Sequence, residues 1–259
     1  MERSFIQNRE GKKISVLVEH PSTPQEKVAF VMHGLGGSKE QHHIAALAGP
    51  LLARGYVTVR FDATNSLGES DGDYADATVT NYVHDLEDVL SWGKSQPWYQ
   101  EPFVLAGESL GAFCSAAYAE EHPEHVSALV LIAPMVSGGI SIGAKGSQEL
   151  LAWRESGWRI EESVSKPGVL RKLPWSHVRD RLRYDLLPHA KRLAMPTLLV
   201  TGEKDRGASP GHVAILYDEL PGPKELHVIP DAPHTFRDPA HIEELRRVVD
   251  TWLQEQKEL

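Results

Sequence analysis

A single cysteine, Cys114, is all that 259 residues offer, so an internal disulfide is excluded. The chain also lacks CxxC pairs and clustered His/Cys ligand sets, which leaves no signature for a structural metal. Basic residues are in deficit: 27 Lys+Arg face 36 Asp+Glu, for a formal net charge of −9. That sign, without a Lys/Arg stripe interleaved with aromatics, argues against a nucleic-acid partner. Long hydrophobic runs are missing as well. The apolar stretches are strand-sized, far below the ~20 residues that cross a bilayer. Residues 1–13 are polar and carry no apolar stretch of a secretory signal. Internal repeats and low-complexity segments are absent. What remains is an ordinary globular composition, 41% hydrophobic and 24% charged, in a chain long enough to bury a large core. A soluble cytoplasmic protein is expected.

Periodicity organises that composition. Residues 4–7 and 14–20 flank the polar turn Asn8-Arg9-Glu10-Gly11 and read as a hairpin. Residues 28–32 form a continuous apolar run, as a strand covered on both faces requires. A helix over about 39–54, a strand over 56–61, a long polar loop over 62–77 and a helix over 79–95 follow. Strands are expected at 103–106, 128–133, 197–201 and 225–229, and helices at 112–121, 211–220 and 239–256. Strands alternating with helices imply a doubly wound, mostly parallel sheet. The alternation fails over 137–191, which holds no strand of the buried kind but three tryptophans, Trp153, Trp158 and Trp175. One domain spanning 1–259 is expected, with 137–191 inserted as a lid over the carboxyl edge of the sheet, where sites in open α/β sheets lie.

The chemistry centres on Gly107-Glu108-Ser109-Leu110-Gly111, a G-x-S-x-G match between an apolar strand and a helix. Serine between two glycines suits a sharp strand-to-helix turn that lifts the hydroxyl above the sheet edge. A serine nucleophile needs a base, and the base needs a carboxylate to fix its tautomer. Among the downstream histidines only His234 sits in a short loop between a strand and a helix. His122 and His125, around Pro123, read as solvated, and His227 falls inside a strand. Asp205 follows the strand 197–201 and so emerges at the same edge as Ser109; Glu203 is its local rival, and Asp231 reads as a brace for its own loop. Backbone N–H groups of Leu35, in His33-Gly34-Leu35-Gly36-Gly37, and of Leu110 are the expected oxyanion donors. His33 reads as a structural residue bonded within that loop. Neither GxxxxGK[ST] nor GxGxxG fits the glycines there, so a phosphate cradle is not supported.

Together these residues resemble the α/β-hydrolase superfamily: HGLGG its oxyanion loop, GESLG its nucleophile elbow, TGEKD its acid turn and APHTF its histidine loop. The stretch from Arg60-Phe61-Asp62 to Gly68-Glu69-Ser70-Asp71-Gly72 is similar to that of cinnamoyl/feruloyl esterases and of monoacylglycerol-lipase-like or serine-aminopeptidase-like hydrolases. It departs from them in carrying Asn65-Ser66 where a glycine is usual. Asp62 reads as a loop anchor. The resemblance implies an eight-stranded α/β-hydrolase fold and a serine carboxylesterase for short or medium acyl, or aryl, esters, without cofactor. Serine at position 109 sets it apart from branches that use Asp or Cys there, and Cys114 reads as a small core thiol. Thioesterase, monoacylglycerol lipase, aminopeptidase and C–C hydrolase share the machinery, and a ligand-binding protein on a retired scaffold is the reading from another class. A peptidase should offer lid carboxylates to a free amine, and Glu149, Glu155, Glu161 and Glu162 are available. Trp153, Trp158 and Trp175 are candidates to line the pocket. A lid helix with Leu150, Leu151 and Trp153 on one face would cover the site or meet a second copy of the chain.

Overall fold

The structure is a computed structural model and describes residues 1–22, 27–163 and 166–256. It opens with the hairpin β1 (Glu2–Gln7) and β2 (Lys13–Glu19), followed by β3 (Val28–Met32), α1 (His42–Ala53) and β4 (Val57–Phe61). Next come α2 (Val79–Gly93), β5 (Phe103–Glu108), α3 (Leu110–Glu121) and β6 (Val126–Ile132). Five short elements interrupt the alternation: α4 (Gly138–Gly143), α5 (Ser147–Ser156), β7 (Trp158–Glu162), β8 (Leu170–Pro174) and α6 (Ser176–Arg181). Then β9 (Thr197–Gly202), α7 (Pro210–Glu219), β10 (Lys224–Ile229) and α8 (Pro239–Glu255) complete the described chain.

Eight strands make one sheet in the order β1-β2-β4-β3-β5-β6-β9-β10. Only β2 runs against the rest, since it pairs antiparallel with both β1 and β4 while the other neighbours are parallel. Every residue of β3, β4, β5 and β9 is buried, because helices cover both faces of the sheet; hence the unbroken apolar run of β3. Parallel order brings the carboxyl ends of β3, β5, β9 and β10 to one edge, and the turns after them carry Leu35, Ser109, Leu110, Asp205 and His234, while the three tryptophans belong to the segment after β6.

Two departures from the expected elements have local causes. The first helix begins at His42 rather than near Lys39. Lys39 is spent on the loop after β4: its N–H donates to Asp62 Oδ1 at 2.6 Å, and its Nζ donates to Asp62 Oδ2 and Glu69 Oε2, each at 2.7 Å. Asp62 also accepts from Glu69 N–H, so it anchors the loop as expected. In that loop Asn65 takes φ 58°, the left-handed region; asparagine tolerates it, which explains how this chain dispenses with the usual glycine. The second departure is the hairpin β7–β8, a separate two-stranded sheet within 137–191. Trp158, Ile160 and Leu170 lie exposed on it, so its pattern does not resemble a core strand. In α5, Trp153 turns inward and Leu151 faces out, narrower than the apolar face expected.

Candidate active site

Ser109 stands between β5 and α3 with φ 54° and ψ −111°, a conformation that costs an ordinary side chain about 1–3 kcal/mol. The surroundings over-determine it. Ser109 N–H donates to Ile132 O at 2.8 Å, and Ser109 O accepts from Phe113 and Met135 N–H. A Cβ at Gly111 would lie 2.4 Å from Met32 O, and one at Gly107 would lie 2.5 Å from Gly111 C, so the turn closes only with glycine at both positions. Serine at a helix N-cap usually caps with its own hydroxyl, yet Ser109 makes no such bond. Its hydroxyl is at 3.0 Å from His234 Nε2 instead.

His234 is carried by the loop after β10, which is seated by buried Ala232 and Phe236. Its Nδ1 is 2.7 Å from Asp205 Oδ2. The remaining oxygen, Asp205 Oδ1, accepts from Gly207 N–H at 2.7 Å and Ala208 N–H at 2.8 Å. With Asp205 acceptor-only, Nδ1–H donates to it and Nε2 is left to accept from Ser109 Oγ–H. Burial opposes charge on Asp205, but His234 and the two amides outweigh it and hold the carboxyl below its ordinary range. Burial likewise opposes protonation of His234, and the bond to Asp205 and the nearby Glu108 carboxyl overcome it, raising the imidazole. Glu203, the rival acid, is turned away and accepts Asp231 N–H at 2.9 Å; Asp231 in turn pairs with Lys204, bracing its own loop.

Neither Leu35 N–H nor Leu110 N–H bonds an acceptor among the described residues, while Gly36 N–H is taken by Tyr82 Oη and Gly37 N–H by Gly34 O. His33 holds the loop from beneath: its Nδ1 is 2.7 Å from Gly34 O, and its Nε2 accepts Ala63 N–H. Burial lowers its pKa and keeps it neutral, which fits a structural role. Cys114 is buried in α3, as expected of a core thiol.

Glu108 was not foreseen, although a lone acid ending the apolar strand 103–107 is a readable signal. Its buried carboxyl lies 3.8 Å from His234 Nε2 and 3.9 Å from His43 Nε2. Burial pushes Glu108 up to about 7, Asp205 adding to the effect and His234 opposing it. Burial pulls His43 down to about 4, and the neighbouring His33, Arg237 and His234 pull the same way.

A cavity of about 330 Å3 opens over Ser109 and His234. Of the three tryptophans only Trp153 lines it; Trp175 packs edge-on behind Trp153 at 5.8 Å, and Trp158 points outward from β7. Trp158 and Trp175 are thereby corrected from pocket residues to surface and support. The walls are charged more than aromatic, with Lys145, Arg159, Glu161, Arg171 and Arg181 from the 137–191 segment and Arg237 at the mouth. A second cavity of about 630 Å3 adjoins it across Gln41, His43, Thr235 and Arg237 and is lined by Leu67, Phe236, Pro239 and Ile242.

His122 and His125 are half-buried rather than solvated, because their rings stack at 5.2 Å and lean on Tyr118. With Glu124 they form the group among the described residues whose spacing would suit a metal ion. It sits at the opposite end of α3 from Ser109, about 20 Å away at 1.5 Å per residue. No helix among the described residues is long and apolar enough to cross a membrane.

Residues 23–173 match the family described as serine aminopeptidase, S33. The mitochondrial palmitoyl-protein thioesterase ABHD10 of Bos taurus is 25% identical over 204 residues, 76% of this chain; the chain spans 63% of that protein's length. Est1E from Butyrivibrio proteoclasticus, solved with ferulic acid bound, superimposes with a TM-score of 0.81 at 22% identity, covering 98% of both chains. Alpha/beta hydrolase domain-containing protein 10 from mouse gives 0.78 at 22% identity, covering 98% of this chain and 99% of its own. The fold is that of the α/β-hydrolases.

Proposed function

The chain belongs to the serine aminopeptidase S33 family, and from that premise we propose that it hydrolyses carboxylic esters through Ser109, His234 and Asp205. The observation that carries the reading is the unbroken relay from Ser109 Oγ to His234 Nε2 at 3.0 Å and from His234 Nδ1 to Asp205 Oδ2 at 2.7 Å. As Ser109 Oγ bonds to the ester carbonyl carbon, its proton passes to His234 Nε2. Asp205 holds the ring and stabilises the imidazolium. The carbonyl oxygen, now negative, accepts hydrogen bonds from Leu35 and Leu110 N–H. His234 returns the proton to the departing alkoxide, the alcohol leaves, and water deprotonated by His234 repeats the sequence on the acyl-enzyme. Residues 137–191 serve as the lid that walls this space from water. No metal enters the mechanism.

The charge of the cavity disfavours aminopeptidase action despite the family's name. Of the lid carboxylates, Glu161 is taken up by Arg159 and Arg171, and Glu149 by Arg159 and Lys145. Glu155 and Glu162 are exposed and lie outside the cavity. A substrate ammonium would meet surplus positive charge. Thioester hydrolysis is the second reading, favoured by the apolar cavity beside the site, which offers an acyl chain a place that the charged one does not. The thioesterase relative points the same way.

The test is turnover of p-nitrophenyl esters from C2 to C16, acyl thioesters and amino-acyl p-nitroanilides by wild type and Ser109→Ala. Esters or thioesters are expected to be cleaved, with Ser109→Ala slower by about 10^6-fold, and the anilides to stay intact. Failure of every ester and thioester refutes the reading; cleavage of the anilides alone replaces it with the peptidase.

A further inference from the structure

We propose that the cavity over Ser109 contains an anion subsite, built on Arg181, that binds a carboxylate carried by the ester substrate. The inference rests on Ser109 being the nucleophile, and it adds the substrate class. Its first support is an unmet need. Arg181 ends α6 and lines the cavity, and its side chain forms no hydrogen bond or ion pair among the described residues; its Nε is buried without an acceptor. Two neighbours on the same wall repeat the pattern, since Arg171 Nε and His177 Nε2 are also buried and unbonded. Two buried guanidinium Nε–H groups with no acceptor, converging with an unpartnered imidazole nitrogen on one cavity beside a candidate nucleophile, are unusual, because buried polar groups are nearly always paired.

Charge accounting gives the second support. The chain as a whole is acidic, at −9, yet Lys145, Arg159, Arg171, Arg181 and Arg237 converge here. Glu149 and Glu161 answer Lys145, Arg159 and Arg171; among the described residues no carboxylate pairs with Arg181 or Arg237. Burial depresses Arg181 to about 10, with Arg159 opposing its charge and Tyr74 favouring it, so the guanidinium still carries its proton at neutral pH. His177 is kept neutral by burial, which drives it down to about 4; its Nδ1–H donates to Ala77 O at 2.9 Å, so Nε2 is left as an acceptor and the anion is held by the guanidinium donors.

The third support is rigidity. Asp180, next to Arg181, accepts Val79 N–H at 2.7 Å and Thr80 N–H at 3.2 Å and so clamps α6 to the N-terminus of α2. Arg171 is held over Tyr74 at 5.9 Å and against Glu161. A guanidinium fork carried on a clamped helix and lining the cavity matches a planar carboxylate geometrically, with little reordering of the backbone to bind it.

The experiment compares charged esters with neutral isosteres on wild type and Arg181→Met. One arm carries the charge on the acyl side (mono-p-nitrophenyl glutarate against its methyl ester), the other on the alcohol side (4-acetoxybenzoate against methyl 4-acetoxybenzoate). On at least one arm wild type is expected to favour the acid by about 10- to 100-fold in kcat/KM, mainly through KM, as for a charge-assisted hydrogen bond. The preference should collapse toward unity in Arg181→Met and return in part in Arg181→Lys. Binding of the same four compounds to Ser109→Ala, read by calorimetry, tests the subsite independently of turnover and of how Arg181→Met folds. Tighter binding of an acid than of its methyl ester supports it. Neutral esters cleaved with no preference on either arm overturn the subsite and leave the esterase reading standing. Equal binding of acid and methyl ester to Ser109→Ala on both arms overturns it whatever is cleaved.

Discussion

Replacing Asp205 by asparagine tests the relay at its least exposed joint. Asp205 Oδ1 faces two donors, Gly207 N–H and Ala208 N–H, while Oδ2 faces His234 Nδ1. An asparagine must keep its one oxygen toward the amides, so its NH2 turns to His234. Nδ1 then has to accept, the imidazole proton moves to Nε2, and Nε2–H points at Ser109 Oγ in place of a lone pair. The opposite amide orientation restores the useful tautomer but leaves two N–H groups without an acceptor, one buried at Ala208 and one part-buried at Gly207. At about 1–3 kcal/mol for the buried group and about 1 for the other, that conformer is disfavoured by about 2–4 kcal/mol. At 1.36 kcal/mol per decade this removes about 1.5–3 decades of rate. Loss of the negative charge that steadies the imidazolium removes about one more. Asp205→Asn should therefore lower kcat on p-nitrophenyl acetate about 300- to 10,000-fold with an unchanged melting temperature. A loss under tenfold in a folded variant would refute the tautomer argument.

Two further outcomes follow from the same geometry. Because the Asp205 bond and the Glu108 carboxyl raise His234 against the effect of burial, and because only the neutral imidazole can take the Ser109 proton, kcat/KM should rise with pH along a limb centred above the ordinary 6.5 of histidine. Glu108→Gln should shift that limb to lower pH, and an unmoved limb would take Glu108 out of the field at His234. Removing the ammonium in Lys39→Met strands Asp62, whose side chain is 1% exposed, at a cost of about 3–5 kcal/mol. Differential scanning calorimetry should show a melting temperature lower by ~10 °C at neutral pH; a drop under 2 °C would mean that the loop after β4 does not depend on the pair.

The elements that position the site were legible because each is a local geometric demand. The elbow needs glycine within angstroms of the next backbone, and Gly107 and Gly111 announce it; the acid and histidine turns each follow a short apolar strand whose direction the alternation already implies. Lys39 illustrates the limit of that logic. Helical spacing extends through it, but its partners Asp62 and Glu69 lie 23 and 30 residues away, and a buried ion pair outweighs the small propensity gain of one more helical turn. Asn65 shows the reverse: it stands where a glycine is usual, and the backbone keeps a left-handed conformation there with the residue type that tolerates it next best.

The composition of the substrate cavity was not legible, and the reason is physical. Arg159 lies on β7, Arg171 on β8, Arg181 on α6 and Arg237 beyond the histidine loop; in sequence they are four ordinary surface arginines. Which arginine keeps an acid for itself depends on how a hairpin with no core-strand periodicity docks over Ser109. Glu161 shares a face of β7 with Arg159, two residues away, and reaches Arg171 only because β7 and β8 pair in the register Glu161↔Arg171. One residue of slip would turn Arg159 and Glu161 together to the other face of the hairpin and strip Arg171 of its carboxylate. The recognition charge of the site therefore hangs on the register of a small, exposed two-stranded sheet, whereas the candidate catalytic residues hang on the buried eight-stranded one. Changes in β7 and β8 should alter which esters are taken with little effect on the relay between Ser109, His234 and Asp205.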